Sequence, residues 1–145
     1  EERAAAKVGP QGQIQQSMVC NGCIVRGHVS QSILSPGVYV SPGAVVHESV
    51  IMNDTWIGPG AVVDRCIVDK NVVVGGGALL GHGPDYDTPN GKEPGKFYTG
   101  PTLVGKRAHI PQNVAIGRNV VIEADVDDED FDRFDFVVPS GETVG

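Results

Sequence analysis

The sequence predicts an all-β chain wound as a triangular prism of parallel strands, and three observations predict it. Residues 29–45 (VSQSILSPGVYVSPGAV), 46–62 (VHESVIMNDTWIGPGAV) and 63–79 (VDRCIVDKNVVVGGGAL) repeat without a gap. Each repeat divides into pieces of five, six and six residues, and an aliphatic residue opens every piece: Val29, Leu34, Val40; Val46, Ile51, Ile57; Val63, Val68, Val74. The composition agrees, with 20 Gly and 10 Pro, Val leading the apolar set, and no long amphipathic periodicity beyond the opening EERAAAK. Three short sides per turn make a triangle, and 145 residues are the length of one domain.

Within a flat side, the first and fifth places point inward and the sixth points outward, because side chains alternate along a strand. Ala44, Ala61 and Ala78 fill the fifth place of one side, near a corner where a larger group is hard to fit. Gly43, Gly60 and Gly77 precede them, and Gly37, Asp54 and Asn71 hold the equivalent place on the previous side; these residue types tolerate a left-handed backbone at a turn. Before the regular coils, Ile14, Val19 and Val25 mark a shorter, irregular turn of the kind that caps a repeat array. Residues 1–13 are read as a linker and 14–145 as the helical domain, with about six to seven coils. Residues 81–101 (GHGPDYDTPNGKEPGKFYTGP) have no hexad frame and are read as an inserted loop that leaves one corner and rejoins the next coil. The hexads then resume at Val104, Ile110, Ile116 and Ile122.

The net charge of −7 is concentrated in residues 125–136, where DVDDEDFDRFD carries seven acids and one Arg, or −6, leaving −1 for the remainder. That segment is read as a solvated acidic loop, and the absence of a basic stripe argues against nucleic acid as a partner. No apolar run approaches the length needed to span a bilayer and nothing resembles a secretion signal, so a soluble, cytoplasmic protein off the membrane is expected. The chain begins at Glu1 rather than Met, and a piece of a longer protein is expected. Cys20 and Cys23 form a lone C-x-x-C without the second pair or spaced His that zinc requires, so no metal site is expected.

The [LIV]-[GAED]-x-x-[STAV]-x hexads are the signature of left-handed parallel β-helices, a handedness that comes with this resemblance and departs from the usual right-handed crossover. SILSPGVYVSPGAVVHESVIMNDTWIGPGAVVDRCIVDKNVVVGGG, TLVGKRAHIPQNVAIGRNVVI and VPSGETV together resemble the C-terminal domain of the ADP-glucose pyrophosphorylase (glucose-1-phosphate adenylyltransferase) family, from about Gln13 onward. The resemblance implies a non-catalytic oligomerisation and regulatory domain of a sugar nucleotidyltransferase in glycogen or starch precursor synthesis. It implies an N-terminal nucleotidyltransferase domain as partner, and that domain would use ATP and magnesium. Its Gly-rich nucleotide loop followed by Arg is absent here, and GGG at 75–77 reads as a corner, so this chain is expected to have neither turnover nor a cofactor. The family's enzymes are usually tetramers tuned by sugar-phosphate effectors. Arg26, Lys106, Arg107 and Arg118 are therefore the candidates for anion contact.

The sixth places of the two long sides are outward yet apolar: Tyr39, Trp56 and Val73 on one, Val45, Val62 and Leu79 on the other. Such ladders predict an interface with a neighbouring domain or subunit, with the inserted loop (Tyr86, Phe97, Tyr98) as the other cover for one of them. Pairs one coil apart, His47 with Asp64 and Glu48 with Arg65, are read as supports of register. The rival function is a hexapeptide-repeat acyltransferase using acyl-CoA, with His82 in GHG, or secondarily His109, as general base.

Overall fold

A computed structural model describes residues 3–145 of the chain. Its strands, two or three residues each, form three parallel sheets that are the faces of a prism. Face A holds six strands, from Lys7–Val8 through Tyr39–Val40 and Trp56–Ile57 to His109–Ile110. Face B holds seven, from Gln13–Gln15 through Val62–Asp64 to Val137–Val138. Face C also holds seven, from Met18–Val19 through Cys66–Val68 to Thr143–Val144. The chain visits A, B and C in turn, and about seven turns complete the solenoid.

The pairing register follows the repeat. Val45 lies on Val62 and Val62 on Leu79, each seventeen residues apart, and the first full coil is shorter, with Gln13 on His28. All nine aliphatic openers are buried at 1% exposure or less, as are Ala44, Ala61 and Ala78. The corner prediction holds in the backbone: Gly43, Gly60 and Gly77 have φ of 77°, 71° and 70°, and Gly37, Asp54 and Asn71 have 81°, 59° and 59°. A further polar column runs through the corner between B and C. Each Ser oxygen there accepts the backbone N–H of the next coil, Ser32 from Ser49 at 3.1 Å and Ser49 from Cys66 at 3.0 Å, while donating to a carbonyl two residues back. Short polar side chains thus satisfy backbone groups that a tight corner leaves unpaired.

Two boundaries differ from expectation. The sheet begins before residue 14, since Lys7–Val8 pairs with Ile24–Val25 and places that part of the expected 1–13 linker on face A, residues 1–2 lying outside the described residues. A two-residue strand is too short to carry a readable alternation. The acidic segment is more than a solvated loop: it stands where the seventh strand of face A would fall. There Asp128–Phe131 forms a 3-10 turn capped by Asp127, and Phe131 and Phe134 bury themselves over the end of the core at 6% and 8% exposure. Counting charges hid the two aromatic residues that do the packing.

Overpacking one inward corner tests this assignment. Ala61→Leu inserts a branched side chain between Ala44 and Ala78, and the expected loss is about 1–3 kcal/mol of unfolding free energy in urea titration.

Candidate functional site: outward ladders and the clamped loop

Because coils stack in register, each outward position becomes a column running along the prism. On face A the column reads Ile24, Tyr39, Trp56, Val73, with the Tyr39 and Trp56 rings stacked at 6.4 Å and 6° and Trp56 39% exposed. On face B it reads Val45, Val62, Leu79, Ala115, Val137. The six predicted ladder residues therefore do stack, three by three. A third and longer apolar column lies on face C: Met18, Ile33, Val50, Ile67, Leu103 and Val121, with Met18, Ile33 and Ile67 more than 40% exposed. The sequence carries its signal in the doublets Ile33-Leu34, Val50-Ile51 and Ile67-Val68, where one residue faces in and its neighbour out. Attention to the longer sides alone passes over it.

The inserted loop covers none of the Trp56 ladder. It leaves face B after Leu79–Leu80, and it rejoins face C at Thr102–Val104, so it stands on the corner between those faces. Two buried asparagines fasten it. Asn119 donates from Nδ2 to the carbonyls of Tyr86 (3.1 Å) and Thr88 (2.8 Å), and its Oδ1 accepts from the Gly100 N–H at 2.8 Å, so one side chain ties the outgoing and returning limbs. Asn90 donates to the carbonyls of Asn119 and Glu142 and pairs with Thr143, joining the loop to the last coil. Between loop and face C lies a cleft of about 340 Å³ floored by Val50 and Ile67.

The four candidate cations sit on three different corners. Arg118 is 5% exposed and committed to the loop corner: Nη2 meets Asp64 Oδ2 at 2.8 Å, Nη1 donates to the Asp64 carbonyl at 3.1 Å and Nε donates to the Gly83 carbonyl at 2.8 Å. The guanidiniums of Arg118 and Arg65 both lie over the Tyr86 ring, at 4.4 and 5.0 Å. Asp64, read from the sequence as a partner of His47, is thus taken by Arg118, while His47 bonds Ser30 at 2.8 Å and meets Glu48 at 3.2 Å. The contact between coils at a distance of 54 residues cannot be read from neighbouring rungs. Glu48 and Arg65 do pair, at 2.9 Å.

Arg26 is exposed near Tyr39, at the corner between A and B. Lys106 and Arg107 are exposed on the edge between C and A, where the N–H of Arg107 donates to the Lys70 carbonyl and its side chain holds Asp125 at 2.6 and 3.0 Å. That guanidinium keeps the Asp125 carboxyl below the ordinary carboxylate range. Lys70, one rung from this pair, is the cation the sequence reading missed. His82 is exposed at the mouth of the loop, and His109 pairs with Asp128 at 3.0 Å. Cys66 is enclosed in the polar corner column, and burial pushes its thiol up to about 12.

A prism of stacked hexads with a clamped loop defines the class: the chain belongs to the family described as GlmU-like, C-terminal hexapeptide, whose sequence profile matches residues 4–93. The particular relatives are glucose-1-phosphate adenylyltransferases. The enzyme of Thermomicrobium roseum is 54% identical over 99% of this chain and 33% of its own length, that of Thermotoga neapolitana 48% over 98% and 34%, and that of Acetivibrio thermocellus 36% over 97% and 34%. This chain therefore spans about a third of the curated relatives it matches. Among solved structures it is similar to the acetyltransferase domain of PglB from Neisseria gonorrhoeae, at 20% identity and a TM-score of 0.47, covering 97% of this chain and 54% of that one. No helix among the described residues is long and apolar enough to cross a membrane.

Arg118→Ala should cost about 2–4 kcal/mol, since it strands the largely buried Asp64 carboxylate and removes two loop contacts, to the Gly83 carbonyl and the Tyr86 ring. Limited proteolysis should then cut within residues 82–101 well before the prism unfolds. The Cys66 thiol should resist alkylation at neutral pH until the fold opens. Because its folded pKa lies above the unfolded value of 9.0, its contribution to stability is intact below pH 9 and is lost as pH rises towards 12, which alkaline unfolding curves will show.

Proposed function

We propose that this chain is the assembly and regulatory domain of a glucose-1-phosphate adenylyltransferase-like sugar nucleotidyltransferase, with no turnover of its own. The observation that carries the reading is the set of apolar columns on all three faces, in a chain that spans one third of its adenylyltransferase relatives. A monomeric prism gains nothing from leaving Trp56, Ile33 and Ile67 in water, whereas a stiff scaffold presenting them to an N-terminal nucleotidyltransferase domain or a second subunit buries them. ATP and magnesium belong, on this reading, to that other domain, and the assembly is cytoplasmic and homo-oligomeric.

A sugar-phosphate effector would bind where cations are free to meet it. Lys106 with Lys70 beside it on the edge between C and A fits this better than Arg118, which is buried and already bonded to Asp64 and Gly83. Arg107 would have to exchange Asp125 for phosphate, and Arg26 stands on a separate corner. An effector at this edge would act by favouring one docking arrangement over another, through its different affinity for the two.

The acyltransferase reading would make His82 the base, and no observation in the structure favours it. Incubating the chain with ATP, glucose 1-phosphate and magnesium separates the two. The expected result is no ADP-glucose above the blank and no retention of acetyl-CoA; formation of ADP-glucose would refute the proposal, and acetyl-CoA binding abolished by His82→Ala would replace it.

A further inference from the structure

The end of the prism sealed by the acidic segment carries a cleft of about 230 Å³ whose two kinds of lining are sorted by chemistry. Its floor is apolar, from Pro111, Val114 and Phe131, and its rim is acidic, from Asp128, Asp132 and Asp135. Phe136 forms the remaining wall and is 66% exposed, with Val137 beside it at 58%. An aromatic side chain left in water at the lip of an apolar cleft is unusual, and Phe136 is held there by a backbone at φ 61°, in the left-handed region that bulky residues avoid. The hydrogen bond from the Ala115 N–H to the Phe136 carbonyl at 2.8 Å anchors that conformation to the last strand pair of face B.

The charges around the cleft are all of one sign where they matter. Arg133, the one cation of the 125–135 stretch, does not line this cleft: its guanidinium lies 4.2 Å over the Phe134 ring and donates to the Thr143 carbonyl at 2.8 Å, and it lines two neighbouring clefts, one of them shared with Asp135. His109 takes Asp128, whereas the carboxylates of Asp132 and Asp135 have no ion-pair partner among the described residues. Neither is this a chelating arrangement, for no group of three or more His, Cys, Asp or Glu among the described residues is disposed to hold a metal ion. Separated acids around an apolar floor match a partner whose cations are likewise separated by an apolar group.

We infer that this acid-rimmed cleft docks a cationic, amphipathic protein segment, one large apolar side chain entering beside Phe136 and flanking Lys or Arg reaching Asp132 and Asp135. The assignment stands apart from the adenylyltransferase reading, because it uses the cleft at the end of the prism and meets the ladders only at Val137, the last rung of face B. Apolar burial supplies affinity and the charged rim supplies orientation and rate of encounter.

A fluorescein-labelled Lys-Lys-Leu-Trp-Lys-Lys peptide, titrated with the 145-residue chain and followed by anisotropy, tests it. Oligolysine of equal charge and a Glu-for-Lys version are the controls. Expected are saturable binding at least about tenfold tighter than oligolysine, and a loss of about tenfold or more in Asp132→Asn/Asp135→Asn and, separately, in Phe136→Gly. Phe136→Gly also relieves the left-handed strain, so its melting temperature should equal or exceed that of the parent chain. Equal binding of oligolysine, unaltered binding by Phe136→Gly, or a marked fall in its melting temperature would overturn the proposal. So would self-association of the chain that Phe136→Gly abolishes, which would make the occupant a second copy.

Discussion

Everything in this molecule depends on in-register parallel hydrogen bonding between consecutive coils. The constraint places residue i of one coil directly on its counterpart in the next, so like must stack on like. Inward aliphatic residues form a continuous core, Ser32, Ser49 and Cys66 form a chain of corner hydrogen bonds, and left-handed corner residues line up at Gly37, Asp54 and Asn71. The outward residues obey the same rule, which is why a single apolar side chain on one rung becomes a ladder. A surface that would be scattered in another fold is here collected into three stripes.

The insertion and the acidic segment show how the constraint is interrupted without being broken. Leu79 pairs with Ala115 across the loop, and Ala115 with Val137 across the acidic segment, so the register is recovered each time. The loop is held by buried asparagines and by Arg118 with Asp64, and it stands on the corner between faces B and C, reaching face C at Thr143 and overhanging Val50 and Ile67. The face A ladder consequently stays open, while the middle of the face C ladder becomes the floor of a cleft. The acidic segment ends face A by burying Phe131 and Phe134 where a strand would otherwise continue, which removes an exposed sheet edge of the kind that invites aggregation.

The periodic parts of this structure were legible in the chain because the same chemistry recurs at a fixed step. Val29, Leu34 and Val40 announce the triangle, and Gly60 and Asn71 announce its corners. What was not legible depends on contacts without a period. Arg118 looks in the sequence like a free cation at the third place of a hexad, and only the fold brings Asp64, Gly83 and Tyr86 to it. Asn119 looks like any polar residue of IGRNVV, yet it closes the loop. Phe131 and Phe134 are outnumbered by acids in DVDDEDFDRFD, so net charge conceals their packing. The face C ladder was present in the letters all along, in aliphatic doublets whose second member alone was read as core.

On the proposed role, the apolar ladders are covered on assembly. Carbene footprinting read by mass spectrometry, on the chain alone and on the proposed assembly with an N-terminal nucleotidyltransferase domain, measures this at Met18, Ile33, Trp56 and Ile67 together. Strong labelling of all four is expected in the chain alone, with protection of at least one whole ladder, face A or face C, in that assembly. Equal labelling of every ladder residue in both would contradict it.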